Sequence, residues 1–231
     1  MSRHGKKYRS VSAKLQARAE HELEAALTFL KENQIAKFDE TAEIAFKLGV
    51  DPTKSDQAVR GTVALPHGTG KDVRVIVFAS GPAADAAKEA GAIEVGFEEL
   101  IAKVQGGWTD FDIAVATPEA MKEVRKLGKV LGPRGLMPNP KTGTVTDDTA
   151  SAVNQFKAGR VEFKMDRHGN VMLPFGKLSF SVEALAENAR AVVHAIQAAK
   201  PSAVKGIFVK NCTVTSSMGP GLRLVAREWA A

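Results

Sequence analysis

Val73-Arg74-Val75-Ile76-Val77-Phe78-Ala79 is an almost unbroken apolar run of strand length, and Phe111-Asp112-Ile113-Ala114-Val115-Ala116 is a second. Strands read this way when helices cover both faces of a parallel sheet, because no alternate position then meets water. Ala-rich stretches of helical character separate the two runs, which makes the segment after Pro66 βαβ material and predicts an α/β domain in the middle of the chain.

Outward from that middle the texture changes. Residues 14–33 set Leu15, Leu23, Leu27 and Leu30 near one face, which predicts a helix. Ala42, Ile44, Phe46 and Leu48 then alternate with Glu43, Ala45 and Lys47, and Val59, Val63 and Leu65 follow a turn at Asp51-Pro52. Period-two alternation predicts two half-buried antiparallel strands. Beyond the middle, a helix is expected from Asp147 to Lys157 with Asp147 as its cap. A strand over Arg160 to Lys164, a turn at His168-Gly169-Asn170 and a strand over Val171 to Leu173 follow. A helix from about Val182 to Ala199 stops at Lys200-Pro201, and a last strand runs from Gly206 to Thr215.

Charge divides the chain in the same way. Residues 1–68 hold 11 Lys and Arg against 9 Asp and Glu, residues 69–159 hold 11 against 12, and residues 160–231 hold 10 against 5. The expectation is a basic domain built from both chain ends, 1–68 plus 160–231, with a domain of residues 69–159 inserted. The basic domain is expected to face a polyanion.

Composition narrows the class further. At 231 residues with 44% hydrophobic and 25% charged residues, the chain can bury a globular core. The single cysteine, Cys212, leaves no internal disulfide and no cysteine cluster for zinc, and its place in the last strand marks it as a small buried hydrophobe. No apolar run approaches the length needed to span a bilayer and the N-terminus carries no signal-like stretch, so a soluble cytoplasmic protein is expected.

Enzymatic readings of the middle domain fail on their motifs. Ala79-Ser80-Gly81-Pro82-Ala83 has one glycine where a dinucleotide fingerprint needs three. Gly68-Thr69-Gly70-Lys71 is followed by Asp72 and a strand, where a P-loop needs Ser or Thr and a helix. The five histidines share no metal-ligand spacing, and Glu98-Glu99 and Asp147-Asp148 read as charge at helix N-termini. No catalytic residue, metal or cofactor is expected.

Binding features are more evident. Between Glu123 and Asp147 lie 23 residues without an acid, centred on Gly128-Lys-Val-Leu-Gly-Pro-Arg-Gly-Leu-Met-Pro-Asn-Pro-Lys-Thr-Gly143. Three prolines and four glycines predict a shaped loop that is neither helix nor central strand, and Lys129, Arg134 and Lys141 suit it to a phosphate backbone or leave it as a solvated connection. In the basic domain, Ile35-Ala36-Lys37-Phe38-Asp39-Glu40-Thr41 brings a cation and an aromatic ring together before a strand. Thr215-Ser216-Ser217-Met218-Gly219-Pro220-Gly221 brings hydroxyls, a methionine and glycine together after one. Each has an ordinary structural reading, Phe38 as core and the second segment as a plain turn, and each has the residue types that pack on bases and meet ribose hydroxyls and phosphates.

The segments Lys37-Phe-Asp-Glu-Thr, Asp51-Pro-Thr-Lys-Ser-Asp-Gln, Leu65-Pro-His-Gly-Thr-Gly-Lys, Leu131-Gly-Pro-Arg-Gly-Leu-Met-Pro-Asn-Pro-Lys, Lys157-Ala-Gly-Arg and Ser217-Met-Gly resemble, in order, the bacterial-type ribosomal protein L-one family. The likeness extends from about residue 36 to about residue 220. It implies a discontinuous α+β sandwich-like domain with an inserted Rossmann-like α/β domain, joined by a hinge. It also implies a monomer within the ribosome, at the mobile stalk of the large subunit, with no membrane association and no cofactor. Implied partners are large-subunit rRNA, exit-site tRNA whose movement and release the protein assists, and its own mRNA, whose translation it represses. By position the resemblance implies RNA contacts at Lys37, Phe38, Thr41, Glu43, Lys164, Asp166, Ser216, Ser217, Met218 and Gly219. It leaves Lys129, Arg134 and Lys141 open between a tRNA contact and bracing of the hinge. A general basic nucleic-acid binder and a nucleotide-dependent enzyme are the competing classes.

Two departures from the family pattern matter. Ser216-Ser217 stands where relatives usually carry Thr-Thr, and Met165 stands where many carry Asn. Strand alternation also sets Phe38 on the face of Ala42 and Ile44, away from Thr41 and Glu43, so these residues can share one surface only if the strand start bends or bulges.

Overall fold

The computed structural model describes residues 4–15 and 19–229, apart from the side chains of Ser55 and Lys141. The chain separates into two compact units, Met1–Gly70 with Val161–Ala231 and Lys71–Arg160. The first unit opens with helix α1 (Lys6–Ser12), strand β1 (Glu20–His21), helix α2 (Leu23–Glu32) and strands β2 (Thr41–Leu48) and β3 (Arg60–Ala64). The second holds β4 (Val75–Phe78), α3 (Pro82–Glu89), β5 (Glu94–Gly96), α4 (Glu98–Gln105), β6 (Ile113–Ala116), α5 (Met121–Val124), α6 (Gly128–Leu131) and α7 (Thr149–Lys157). The chain returns through β7 (Arg160–Lys164), β8 (Asn170–Lys177), α8 (Val182–Ala198), β9 (Val209–Ser216) and β10 (Leu222–Leu224).

Five strands of the first unit form one sheet in the order β1-β10-β9-β2-β8, with β2 antiparallel to both of its neighbours. Its inward residues, among them Ile44, Phe46, Phe175, Cys212 and Val214, share a core with Leu23, Leu27 and Leu30 of α2 and Leu185, Ala189, Val192 and Ile196 of α8. The helices thus cover one face, and the other carries the alternate residues, of which Glu43, Lys47, Met172 and Arg223 are exposed. A separate two-stranded sheet joins β3 to β7. Asn188 of α8 is fully buried, and its amide accepts from His67 N at 3.0 Å and donates to the carbonyls of Gly68 and Phe175 at 3.0 and 2.8 Å.

In the second unit the parallel sheet runs β5-β4-β6. Val75 and Val77 of β4 pack with Ala84 and Ala87 of α3 and Val153 and Phe156 of α7, whereas Ile76 and Phe78 pack with Leu100, Ile101 and Val104 of α4. Alternate residues of one strand enter two cores, which is why the run shows no polar alternation. Together the units make an α/β fold.

Several sequence expectations are corrected. The helix placed over 14–33 begins at Leu23, since Glu20 and His21 leave the helix to pair with β10. The two alternating strands belong to different sheets, β2 beside β8 and β9 and β3 beside β7, because alternation marks a strand without naming its neighbour. The strand expected to end at Leu173 continues through Pro174 to Lys177. β8 lies at the sheet edge, and Pro174 sits where the β2–β8 register shifts between Ala42 and Glu43, so no ladder hydrogen bond is lost to the missing N–H. The cap of α7 is Asp148, whose carboxylate accepts from Ser151 N at 3.0 Å, not Asp147. The start of the acid-free stretch is helical, because Leu127 and Leu131 are drawn fully into the second unit's core one turn apart.

Candidate nucleic-acid interface

β2 and β9 lie side by side with Ala42 opposite Ser216, so the segment entering β2 and the turn leaving β9 meet at one end of the sheet. Thr41 N donates to Ser217 Oγ at 3.0 Å, and Ser217 N donates to Thr41 O at 3.0 Å. One side chain ties the two segments more firmly. The carboxylate of Glu40 is completely buried; its Oε1 accepts from the amides of Ile35 and Ala36 at 3.0 and 2.7 Å. Its Oε2 accepts from the Ser216 hydroxyl at 2.5 Å and the Met218 amide at 3.2 Å. Burial alone would push this carboxyl up, but the Ser216 hydroxyl and the three amides outweigh it and hold the group below its ordinary value. A buried charge is tolerated when every lone-pair direction is met in this way.

The bound carboxylate fixes what surrounds it. The chain bends over residues 36–38 before β2 begins, so Phe38 is not a strand residue and turns outward, 56% exposed, beside exposed Lys37. The bend is held by Gln34 Nε2 donating to Phe38 O at 2.7 Å, and by the Asp39 carboxylate accepting from Ser179 N and Oγ at 3.1 and 2.8 Å. The conflict of strand parity is thereby removed: Glu40, not Phe38, takes the inward place ahead of Ala42 and Ile44, while Thr41 and Glu43 keep the outer face. At the other segment, Ser216 is buried with its hydroxyl on Glu40, whereas Ser217 and Met218 are exposed, Met218 by 53%. Gly219 N donates to Ser216 Oγ at 3.1 Å, and a Cβ at Gly219 would lie 2.4 Å from that oxygen, which leaves room there for glycine alone.

The structure therefore brings Lys37, Phe38, Thr41, Glu43, Ser217, Met218 and Gly219 to one sheet end, with Ser216 beneath them as a buried support. Lys177, opposite Thr41, adds a cation and donates to Thr41 Oγ1 at 2.9 Å. Asp166 lies elsewhere: the β2–β8 pairing puts Asn170 opposite Lys47, about 20 Å along β2 from Thr41 at strand rise. There the Asp166 carboxylate accepts from His168 N, Asn170 N and Asn170 Nδ2 at 2.7, 2.8 and 2.9 Å, and these bonds close the β7–β8 turn. The Asn170 contacts, above all, hold its carboxyl below the ordinary value. Lys164 is exposed on β7, in the two-stranded sheet.

The acid-free loop is a folded part of the second unit. Thr144 Oγ1 accepts from Asn139 N at 2.7 Å, Leu136 N donates to Leu131 O at 3.1 Å, and Gly135 takes φ +72°. Lys129 and Arg134 are exposed, and the Arg134 guanidinium donates to the Thr109 hydroxyl. The side chain of Lys141 lies outside the described residues.

Sequence reasoning missed Glu40 as the organiser of the site. Its signal was available: an acid at inward parity just ahead of a strand must be either strained or bound. Among the described residues no group of histidine, cysteine and carboxylate side chains has the arrangement of a metal site.

Fold and site together define a class, an α/β protein of two units in which one sheet end gathers cations, hydroxyls, a ring and a methionine. The comparisons make the class specific. A family model described as the Ribosomal protein L1p/L10e family matches residues 30–220. The chain is 52% identical over 228 residues to the large ribosomal subunit protein uL1 of Protochlamydia amoebophila, covering 99% of this chain and 97% of that protein. It is 51% identical over 224 residues to the uL1 of Lactobacillus delbrueckii subsp. bulgaricus, with 97% of each covered. The chain belongs to the Ribosomal protein L1p/L10e family.

Proposed function

We propose that this chain is a structural constituent of the large ribosomal subunit in the cytoplasm. In this reading it binds large-subunit rRNA at the mobile stalk through the sheet end of its first unit. The observation that carries the reading is the buried Glu40 carboxylate, which staples the Lys37–Phe38 bend to the Ser217–Gly219 turn. A rigid arrangement of this kind suits recognition of folded RNA by shape and ribose contact. Phe38 and Met218 pack on bases or sugars, Thr41 and Ser217 meet hydroxyls, and Lys37 meets a phosphate. Lys164 and Asp166 extend the contact along the same unit, and the 128–143 loop of the second unit, with Lys129, Arg134 and Lys141, braces the hinge or meets the exit-site tRNA whose release the protein assists. The same face serves for autogenous repression, by accepting a similar fold in the protein's own mRNA.

The test is equilibrium binding to the stalk fragment of large-subunit rRNA across rising salt, with unrelated duplex RNA in excess. Wild type is expected to bind through competitor and moderate salt. Met218→Ala removes an apolar contact of about 1.5–3 kcal/mol and so loses tenfold or more in affinity with its salt slope unchanged. Lys37→Ala is expected to lower the slope by about one phosphate contact. Wild-type binding that does not distinguish fragment from competitor would leave only a general basic nucleic-acid binder.

A further inference from the structure

The RNA-facing turn has a neighbour that the proposed function does not use. Helix α1 and the residues before it stand beside Ser217–Gly219, and the two enclose an open cleft of about 550 Å³, bordered by His4, Lys6, Lys7, Tyr8, Ile35 and Met218. The rings of His4 and Tyr8 stack at 4.3 Å between centroids with 24° between planes. Stacked rings usually lie in a core, yet His4 is exposed and Tyr8, the only tyrosine of the chain, is half-buried. α1 is held at this place by the burial of Val11 and by Lys7 Nζ, which donates to Ile35 O at 3.5 Å. That carbonyl belongs to the residue whose amide the Glu40 carboxylate binds, so cleft and RNA-facing turn rest on one framework.

Charge decides the occupant. Residues 1–19 contain six Lys and Arg and no acid. A cleft with an aromatic platform on one side, a thioether on the other and cations at its rim matches a nucleotide, whose flat base stacks while its phosphate needs neutralising. An acidic protein segment would use the cations and leave the platform without a role.

We propose that this cleft takes one unstacked nucleobase of the bound RNA, seated against the His4–Tyr8 pair and Met218, with Lys6 and Lys7 on the adjoining phosphates. The inference rests on the RNA-binding reading and adds to it a specific nucleotide subsite and a role for the N-terminal segment.

The experiment uses the full chain and the rRNA stalk fragment, comparing wild type with Tyr8→Ala and Tyr8→Phe across a salt series, with 4-thiouridine placed at unpaired positions of the fragment for photo-crosslinking. Tyr8→Ala is expected to weaken binding about five- to 150-fold, the range for loss of one base–aromatic stack, with an unchanged salt slope. Tyr8→Phe is expected to stay within about twofold of wild type, and wild type to crosslink at the peptide carrying His4 and Tyr8. The crosslink also covers the case in which Tyr8→Ala fails to fold. Wild-type affinity for Tyr8→Ala, or crosslinks confined to other peptides, overturns the subsite while leaving the RNA reading intact. If wild type shows no preference for the fragment, the RNA reading falls first. The subsite is then judged on a single-stranded oligonucleotide, which wild type must bind more tightly than Tyr8→Ala.

Discussion

Replacing Glu40 with glutamine changes one oxygen into an amide group and little else, which isolates the charge and the acceptor count of the carboxylate. The four hydrogen bonds to Glu40 all have protein donors: the amides of Ile35, Ala36 and Met218 and the hydroxyl of Ser216. A glutamine can turn its oxygen to Ile35 and Ala36, and the Ser216 hydroxyl can rotate to accept from the new NH2 group. The Met218 amide then faces a donor at about the 3.2 Å it now keeps from the carboxylate, and it has no partner left. One unpaired amide costs about 1–3 kcal/mol, and the two remaining amide bonds fall from charge-assisted to neutral strength at roughly 0.5–1 kcal/mol each. Glu40→Gln is therefore expected to cost about 2–5 kcal/mol in the first unit.

Urea unfolding can be read unit by unit, because Trp229 lies in the first unit and Trp108 in the second. Glu40→Gln in a Trp108→Phe background, followed by Trp229 fluorescence, reports on the unit concerned. The pH dependence separates charge from packing. The folded group titrates below the 4.5 that it has when free. Its contribution is therefore complete above pH 4.5 and fades as pH falls through the lower folded value. The gap between wild type and Glu40→Gln should narrow over that fall. A gap under 0.5 kcal/mol, or one that stays constant from pH 7 to about pH 3, would refute an ionised carboxylate as the staple.

Asn188→Ala should destabilise the first unit by about 1–3 kcal/mol, since it takes the partner from the buried Phe175 carbonyl and from the partly buried His67 amide and Gly68 carbonyl. The same Trp229 readout measures it, and a loss below 1 kcal/mol would mean that water enters to replace the side chain. In the second unit, burial pushes the Asp112 carboxyl up, but hydrogen bonds from Lys71 and Arg74 outweigh it and bring the group to about 2. Its contribution should be complete above pH 3.8 and be lost as pH falls toward 2, followed through Trp108 in a Trp229→Phe background, with Asp112→Asn insensitive to that fall.

The parts of the fold that could be read from sequence are those in which one residue's surroundings repeat along the chain. The unbroken Val73–Ala79 run gave its strand because both faces of β4 are covered, and the alternation over 41–48 gave β2 because one face is. Pairing was not legible in this way. β2 and β3 look alike in sequence and belong to different sheets, and the two-residue β1 and three-residue β10 are too short for any period to show. The strand expected to stop at Leu173 runs on through Pro174, which sits at an edge beside a register shift, where a missing N–H costs nothing.

The candidate site divides along a related line. Side chains whose chemistry is their exposure, such as Lys37, Ser217 and Met218, announce themselves by type, and the fold then brings them together. Glu40 does not, because its work depends on four donors supplied by two stretches of chain far apart in sequence, 35–36 and 216–218. Strand parity is the one local sign of it. A carboxylate assigned to the core face beside Ala42 and Ile44 requires that backbone amides converge on it, and amides can converge there only if the chain bends before the strand begins. That bend is what carries Phe38 outward, so the exposed ring and the buried acid have a single cause. A substitution that releases the acid should withdraw the ring from the proposed RNA face as well.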